Sequence, residues 1–296
     1  METLPMTFTL PHDFDPDLYL LMNPDVAAAG EDPAKHYEAF GVNEGRIFRI
    51  DVSRRQGIAI TASRSIPALE IGPFCNPVLK GEGVFYFDVL DRENLIARAK
   101  YLDQPINFAP HIHYVSPDAD LSIVDRVFAA VLSSHCIEHQ PDLIGHLQKV
   151  ARILEPGGGY YLIIPDKRYC FDSVFEESSI AEVLAAHIEK RKLHTLKSYF
   201  EHHVLITHND PALHWAGVHK VEGYDDTIAL RARHALENWP SVEGSYFDVH
   251  AWQFTPNNFA TLIGHLKKLQ LIDFEIETIG ETPRNQFEFT AVLRKT

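Results

Sequence analysis

From residue 57 onward, apolar runs of strand length alternate with stretches of helical period. Runs at 67–72, 83–88, 111–115, 126–133, 159–164, 271–279 and 286–294 predict seven strands. Segments 92–102 and 141–154 predict helices between them. In the second, Leu143, Leu147, Val150 and Leu154 share one face, and Glu155-Pro156-Gly157-Gly158 ends it. Strands alternating with helices predict a parallel, doubly wound α/β sheet. The last two runs are joined only by the short turn GETPRNQ, so the final strand is expected to run antiparallel.

Two regions break this rhythm. Residues 1–50 carry short helical pieces punctuated by Asn23-Pro24, Gly30 and Asp32-Pro33. Asn or Asp before Pro suits a helix start, because the first can cap and the second fits the first turn. Leu18, Leu21, Val26, Tyr37 and Phe40 are expected to form a small shared face. The stretch 14–46 resembles a helical module found beside bacterial glycosyltransferases and other surface-polysaccharide enzymes; a plain helical cap on the main domain (51–296) fits the same residues. The second break is 166–255, too long for a plain crossover and expected to be a functional insertion after the fifth strand. It holds nine of the chain's seventeen histidines, most of which are expected to be surface or packed residues.

Composition narrows the function. A net charge of −14 over 296 residues disfavours a nucleic-acid partner, which would need clustered Lys and Arg. No run of eighteen apolar residues predicts a membrane span, and no basic amphipathic segment predicts insertion into a lipid surface. The opening METLPMTFTLPHDFDPD lacks the layout of a signal peptide. Cys75, Cys136 and Cys170 show no C-x-x-C spacing, so neither a disulfide framework nor a zinc site is indicated. A cytoplasmic setting is expected.

The first strand ends in ALEIGPFCNP, with Glu70 and Gly72 at the point where open α/β sheets bind ligands. A glycine there lets the backbone pass close to a ligand. Asp88 ends the next strand, where an acid can hold a ribose diol. Further on, Ser133-Ser134-His135 closes a strand, followed by Glu138-His139, an amphipathic helix and Pro156-Gly157-Gly158. Glu138 and His139 either start that helix, where an acid favours the dipole, or serve a site. Asp88 likewise reads either as a ribose ligand or as a turn residue.

This arrangement resembles the class I S-adenosylmethionine-dependent methyltransferases, a Rossmann-like fold, in particular a sub-group with E-I-G-P-x-x-N-P, S-x-x-x-E-H and R-x-L-x-P-G-G. The resemblance implies S-adenosylmethionine as cofactor. It assigns Glu70, Gly72, Pro73 and Asn76 to the loop along the methionine part, Asp88 to the ribose, 114–118 to the adenine, and Ser134 with His135 beneath the cofactor. The cofactor has no pyrophosphate, so one glycine can suffice where dinucleotide loops use several.

Two pieces of the insertion, PDKRYCFD (165–172) and YFDVHAWQFTP (246–256), resemble the same sub-group. The first is expected to bring Arg168 and Asp172 to the pocket as substrate contacts. The second is expected to present Asp248, His250 and Trp252 on one side at alternate positions. Methyl transfer to a hydroxyl requires alignment and loss of one proton, a task that suits histidine. His250 oriented by Asp248 is the first candidate base and His202 the second, with Trp252 a substrate contact. No ligand spacing singles out a metal site. The insertion's aromatics Tyr199, Phe200, Trp215, Tyr224, Trp239, Tyr246 and Trp252 either stack on sugar rings or build the insertion's own core. The expected acceptor is a sugar hydroxyl in surface-polysaccharide biosynthesis, with glycosyltransferases as partners through 14–46. A small-metabolite O- or N-methyltransferase and a non-catalytic scaffold are the alternatives.

Overall fold

A computed structural model describes residues 10–296; the first nine positions, at the start of the N-terminal stretch 1–50, lie outside the described residues. Seven strands form one sheet: β1 (Ala68–Ile71), β2 (Val84–Asp88), β3 (Tyr114–Val115), β4 (Phe128–Ser134), β5 (Leu154–Pro165), β6 (Phe274–Ile279) and β7 (Glu288–Lys295). Their order is β3-β2-β1-β4-β5-β7-β6. β1 to β5 pair in parallel, while β7 runs antiparallel to both its neighbours, as the short preceding turn requires. The chain winds one way from β1 through β2 to β3, then returns to place β4 on the other side of β1. That reversal puts a crevice at the carboxyl ends of β1 and β4.

Alternation along each strand feeds two apolar layers. Leu69, Ile71 and Val131 meet Leu147 and Val150 of helix Leu143–Ile153 and Phe259 of helix Pro256–Lys268. Ala68, Ala130, Leu132 and Ile163 meet Ile58 and Leu95 from helices Arg55–Arg64 and Arg92–Tyr101. All four residues of β1 are buried, as expected of a parallel strand covered on both faces. β3 is only two residues long, shorter than its sequence suggests, and β5 reaches back to Leu154 through Pro-Gly-Gly. Among the described residues, no helix is long and apolar enough to cross a membrane.

At the N-terminal end, Tyr19, Val26 and Tyr37 form the shared face with Phe14 and Phe48 packed against them. Leu21 and Phe40, expected on it, point outward at 53% and 57% exposure. Tyr19 takes the inward position instead, and its hydroxyl meets His36 Nδ1 at 2.9 Å. Asp32 caps its helix as expected and Asp15 caps the one before it, but Asn23 does not. Its side chain donates to the carbonyls of Tyr19 and Ile47 and ties the module's start to its end.

The insertion has its own core, in which Phe200 and Trp239 pack against buried Tyr199, Val204 and Ala235. Tyr224 is buried too, its hydroxyl donated to Leu205 O. Most of the aromatics that suit sugar rings are therefore used in packing.

Beneath the crevice runs a buried polar chain: Ser133 Oγ to Tyr160 Oη (2.9 Å) and Tyr160 Oη to His146 Nε2 (2.9 Å). Burial pushes the His146 pKa down to about 3, from an ordinary 6.5. Between those values the unfolded chain binds the extra proton, so this residue's contribution falls as pH drops below 6.5. Urea unfolding at neutral and at mildly acidic pH should therefore show a smaller acid loss in His146→Gln than in the parent protein. Equal losses would mean that His146 is not kept neutral by the fold.

Candidate active site

At the end of β1 the chain turns through Gly72, whose φ is +70° and whose N–H donates to Phe87 O at 2.9 Å. An added Cβ would meet Cys136 Sγ at 3.5 Å, an ordinary contact, so the backbone angle rather than space calls for glycine. The same distance places the β1 loop against the segment after β4. Glu70 is 1% exposed, and its two oxygens accept the N–H groups of Val78 (2.8 Å) and Leu79 (2.7 Å). Burial pushes its pKa up to about 7, against the pull of those two bonds. Glu70 is thus not a ligand contact: sealed and engaged on both oxygens, it holds the loop in shape from below. Pro73 is buried within the loop, and Asn76 is exposed with its Oδ1 accepting from Asn107 at 3.3 Å.

Asp88 ends β2 beside this loop. Burial pushes its pKa up to about 6, while the N–H groups of Leu90, Val89 and Phe74 stabilise its charge. Val89 N–H lies 2.7 Å from Oδ1. A fixed carboxyl at a strand end, next to a loop with glycine-type backbone, fits the ribose and methionine part of S-adenosylmethionine. Ser116, 6% exposed, donates its N–H to Asp88 O and brings 114–118 alongside.

After β4, Ser134 and His135 are both engaged by groups that the sequence does not flag. Arg55 donates to Ser134 Oγ (3.1 Å) and to Glu288 Oε2 (2.8 Å), and His135 Nε2 meets the same Glu288 oxygen at 2.8 Å. Burial disfavours the charge on Glu288, but the bonds from His135 and Arg55 outweigh it and lower its pKa. His135 itself sits at φ +51°, a conformation uncommon for non-glycine residues and frequent at functional sites.

Beyond it, residues Ile137–His139 form a short 3-10 turn, not the start of the next helix, which Asp142 caps through Gly145 N–H. Glu138 is fully buried, and among the described residues neither of its carboxyl oxygens has a hydrogen-bond partner. Around Oε1 stand His139 Nε2 (3.7 Å), His135 Nδ1 (3.9 Å) and His250 Nε2 (4.0 Å). The returning arm of the insertion is fastened here, since Ala251 and Trp252 donate their N–H groups to Glu138 O. Glu138 and His139 therefore stand between the segment after β4 and the returning arm of the insertion.

The insertion residues are brought together differently from expectation. His250 Nδ1 bonds Asp172 Oδ2 at 2.5 Å, so Asp172, expected to touch substrate, is the group that orients His250. Asp248 does not: it pairs with His139 Nδ1 (3.1 Å) and Arg98 (3.0 Å), and these partners lower its pKa. Trp252 is 2% exposed in the main core, and its N–H donates to Gln140 O, which leaves no face for a substrate. The arm is not a regular strand, so the expected alternation of 248, 250 and 252 to one side does not hold.

Arg168 forks onto buried Asp166 (2.6 Å) and lies over Tyr169, which stacks on Trp215 at 4.0 Å between centroids. His202 sits edge-on to Phe171, and Phe171 lies 4.8 Å from the His250 ring. Burial lowers the His202 pKa to about 4, with the neighbouring charge of His203 and His250 acting in the same direction. His194, not singled out by the sequence, is buried beside Tyr246 and Phe247, with neither ring nitrogen partnered among the described residues.

A separate cavity, lined by Pro67, Val124, Arg126, Val127 and Arg152, opens at the amino ends of β1 and β4. It lies at the opposite end of the sheet from these groups, away from where α/β sheets bind ligands.

The sheet order, with its antiparallel seventh strand and the crevice at β1 and β4, is the class I methyltransferase fold. Residues 75–162 match the family described as "Methyltransferase domain". The chain thus carries a methyltransferase domain over this stretch, and the loop after β1 and Asp88 are the residues that fit S-adenosylmethionine. No curated protein matches the sequence.

Among solved structures, the chain is similar to the CcbJ methyltransferase from Streptomyces caelestis, at 11% identity, 81% of this chain, 92% of that one and a TM-score of 0.39. It is also similar to an S-adenosylmethionine-dependent methyltransferase from Clostridium acetobutylicum, at 10% identity, 88% and 97% coverage and a TM-score of 0.40. A third, from Mesorhizobium loti, shares 11% identity over 82% of this chain and 98% of its own, with a TM-score of 0.39.

Removing the strand-end acid tests the cofactor site. Asp88→Ala should weaken binding of S-adenosylhomocysteine by roughly 1–3 kcal/mol through lost charge-assisted hydrogen bonds. Titration calorimetry reads this directly, and unchanged affinity would remove Asp88 from the site.

Proposed function

We propose that the protein methylates a hydroxyl group of a sugar, on a glycan or an activated sugar of surface-polysaccharide biosynthesis. When bound, S-adenosylmethionine supplies a methyl group on a sulfonium, whose transfer to oxygen leaves a neutral thioether. What remains for the chain is to align the acceptor and to make its proton easy to lose. The observation that carries the reading is the cluster of buried Glu138 and His250 with half-buried His139, His250 being fixed by Asp172, next to the cofactor loop. Such a group has a clear use with a hydroxyl acceptor and little with an already nucleophilic amine.

The sugar assignment draws on the resemblance of 14–46 to modules of surface-polysaccharide enzymes, and on the stacked Tyr169–Trp215 pair, half-buried beside Arg168. A flat, partly open aromatic stack with a guanidinium beside it suits the apolar face and hydroxyl rim of a saccharide. Residues 14–46 would hold the enzyme near glycosyltransferases, in the cytoplasm where activated sugars are made. A small-metabolite O-methyltransferase is the second reading, favoured by the limited aromatic surface left outside the insertion's core.

Incubation with methyl-labelled cofactor and a set of cell-surface glycan intermediates tests the acceptor. Label should enter saccharide, and His250→Ala should lower turnover by about 10²–10⁴-fold, the range for loss of acid–base assistance, with cofactor affinity kept. Label found only in small amines or phenols would overturn the sugar assignment. Full turnover in His250→Ala would remove the histidine from the chemistry.

A further inference from the structure

Three histidines around Glu138 share one construction. Each turns one ring nitrogen toward Glu138 Oε1, at 3.7 Å for His139, 3.9 Å for His135 and 4.0 Å for His250. The other nitrogen is hydrogen-bonded to Glu288 for His135 (2.8 Å) and to Asp172 for His250 (2.5 Å), and for His139 it stands 3.1 Å from the Asp248 carboxylate. A carboxylate behind a histidine fixes its tautomer and aims the free nitrogen forward, the arrangement found behind metal-bound imidazoles. The separations around Oε1 are too long for hydrogen bonds. Ligands that each stand about 2.0–2.2 Å from a common ion lie farther from one another than hydrogen-bonded atoms do.

Glu138 supplies the second observation. It is enclosed by protein on every side, at 0% exposure, and both its oxygens lack a partner among the described residues. Leaving a buried carboxyl unsatisfied costs free energy that folded proteins rarely accept without a use. The ligand atoms of Glu138, His139 and His250 lie within 4.8 Å of one another, close enough for one ion to touch all three. His135 and His139 are partly exposed, which leaves a path from solvent.

We propose that Glu138, His139 and His250 bind a divalent transition-metal ion, zinc by the match of a His₂Glu donor set, with a further position left open for the acceptor. Asp172 and Asp248 are positioning residues that act through the histidines. The role of the ion rests on the methylation of a hydroxyl proposed above: an acceptor hydroxyl coordinated there would lose its proton to solvent more readily, because a bound cation stabilises the alkoxide. His250 then assists the loss of the acceptor's proton through the ion it holds.

The test is read without turnover. The full chain, stripped with a chelator and dialysed against zinc, should retain stoichiometric metal by elemental analysis. With Co²⁺ it should develop the visible absorption of a low-coordinate nitrogen and oxygen site. Glu138→Gln should lose both signals while still binding S-adenosylhomocysteine, which shows that it is folded. Asp172→Asn should keep the site but weaken its affinity by about 10–100-fold. Absence of stoichiometric metal in the parent protein, or metal retained equally by Glu138→Gln, would overturn the site. Metal bound without any saccharide methylation would count against the proposed acceptor alone.

Discussion

A buried carboxyl group at the end of a parallel strand is the part on which the cofactor side of this protein depends. Glu70 accepts the N–H groups of Val78 and Leu79 and so closes the loop that begins at Gly72. Without it, those amides and the loop carbonyls would compete for other partners, and Gly72 would not be presented at a fixed height above β1. Fixing the loop also fixes Cys136 and the segment after β4, because the two segments touch. One internal side chain thus sets the relative position of the cofactor loop and the residues that face it.

The other half of the site is built by the insertion folding back on itself. Asp172 leaves the sheet after β5 and His250 returns toward it, and the two meet at 2.5 Å. The carbonyl of Glu138 receives two N–H groups of the returning arm, which secures that meeting against the 3-10 turn. The insertion's separate core around Tyr199 and Trp239 lets this arm be held by a packed body and not by a floating loop. Position and burial therefore come from different parts of the chain: the turn after β4 supplies Glu138 and His139, the insertion supplies His250 and its orienting acid.

Much of the fold was legible because it is written in short-range pattern. Alternating runs located every strand, and the brief turn before β7 made its direction a matter of length. The cofactor loop was legible as a place but not as a set of roles, since Glu70 looks the same in sequence whether it faces a ligand or a loop amide. The partners of His250 were misread for a related reason. Period-two alternation assumed a regular strand through Asp248, His250 and Trp252, whereas that arm bends to bond Glu138 O. Arg55, Glu288 and His194 carried no local signal, because their meaning comes from partners far along the chain.

The ring of contacts at Glu288 has a consequence for how the enzyme comes into being. Arg55 and Glu288 are separated by 233 positions, and His135 and Glu288 by 153. A ribosome delivers the chain from its amino end, so β1 to β5 and the whole insertion emerge before the strand that completes this ring. Until β7 slides between β5 and β6, β5 has a bare edge and His135 has no acid behind it. A nascent chain is therefore without this ring until β7 has emerged, and that strand closes what the earlier ones leave open.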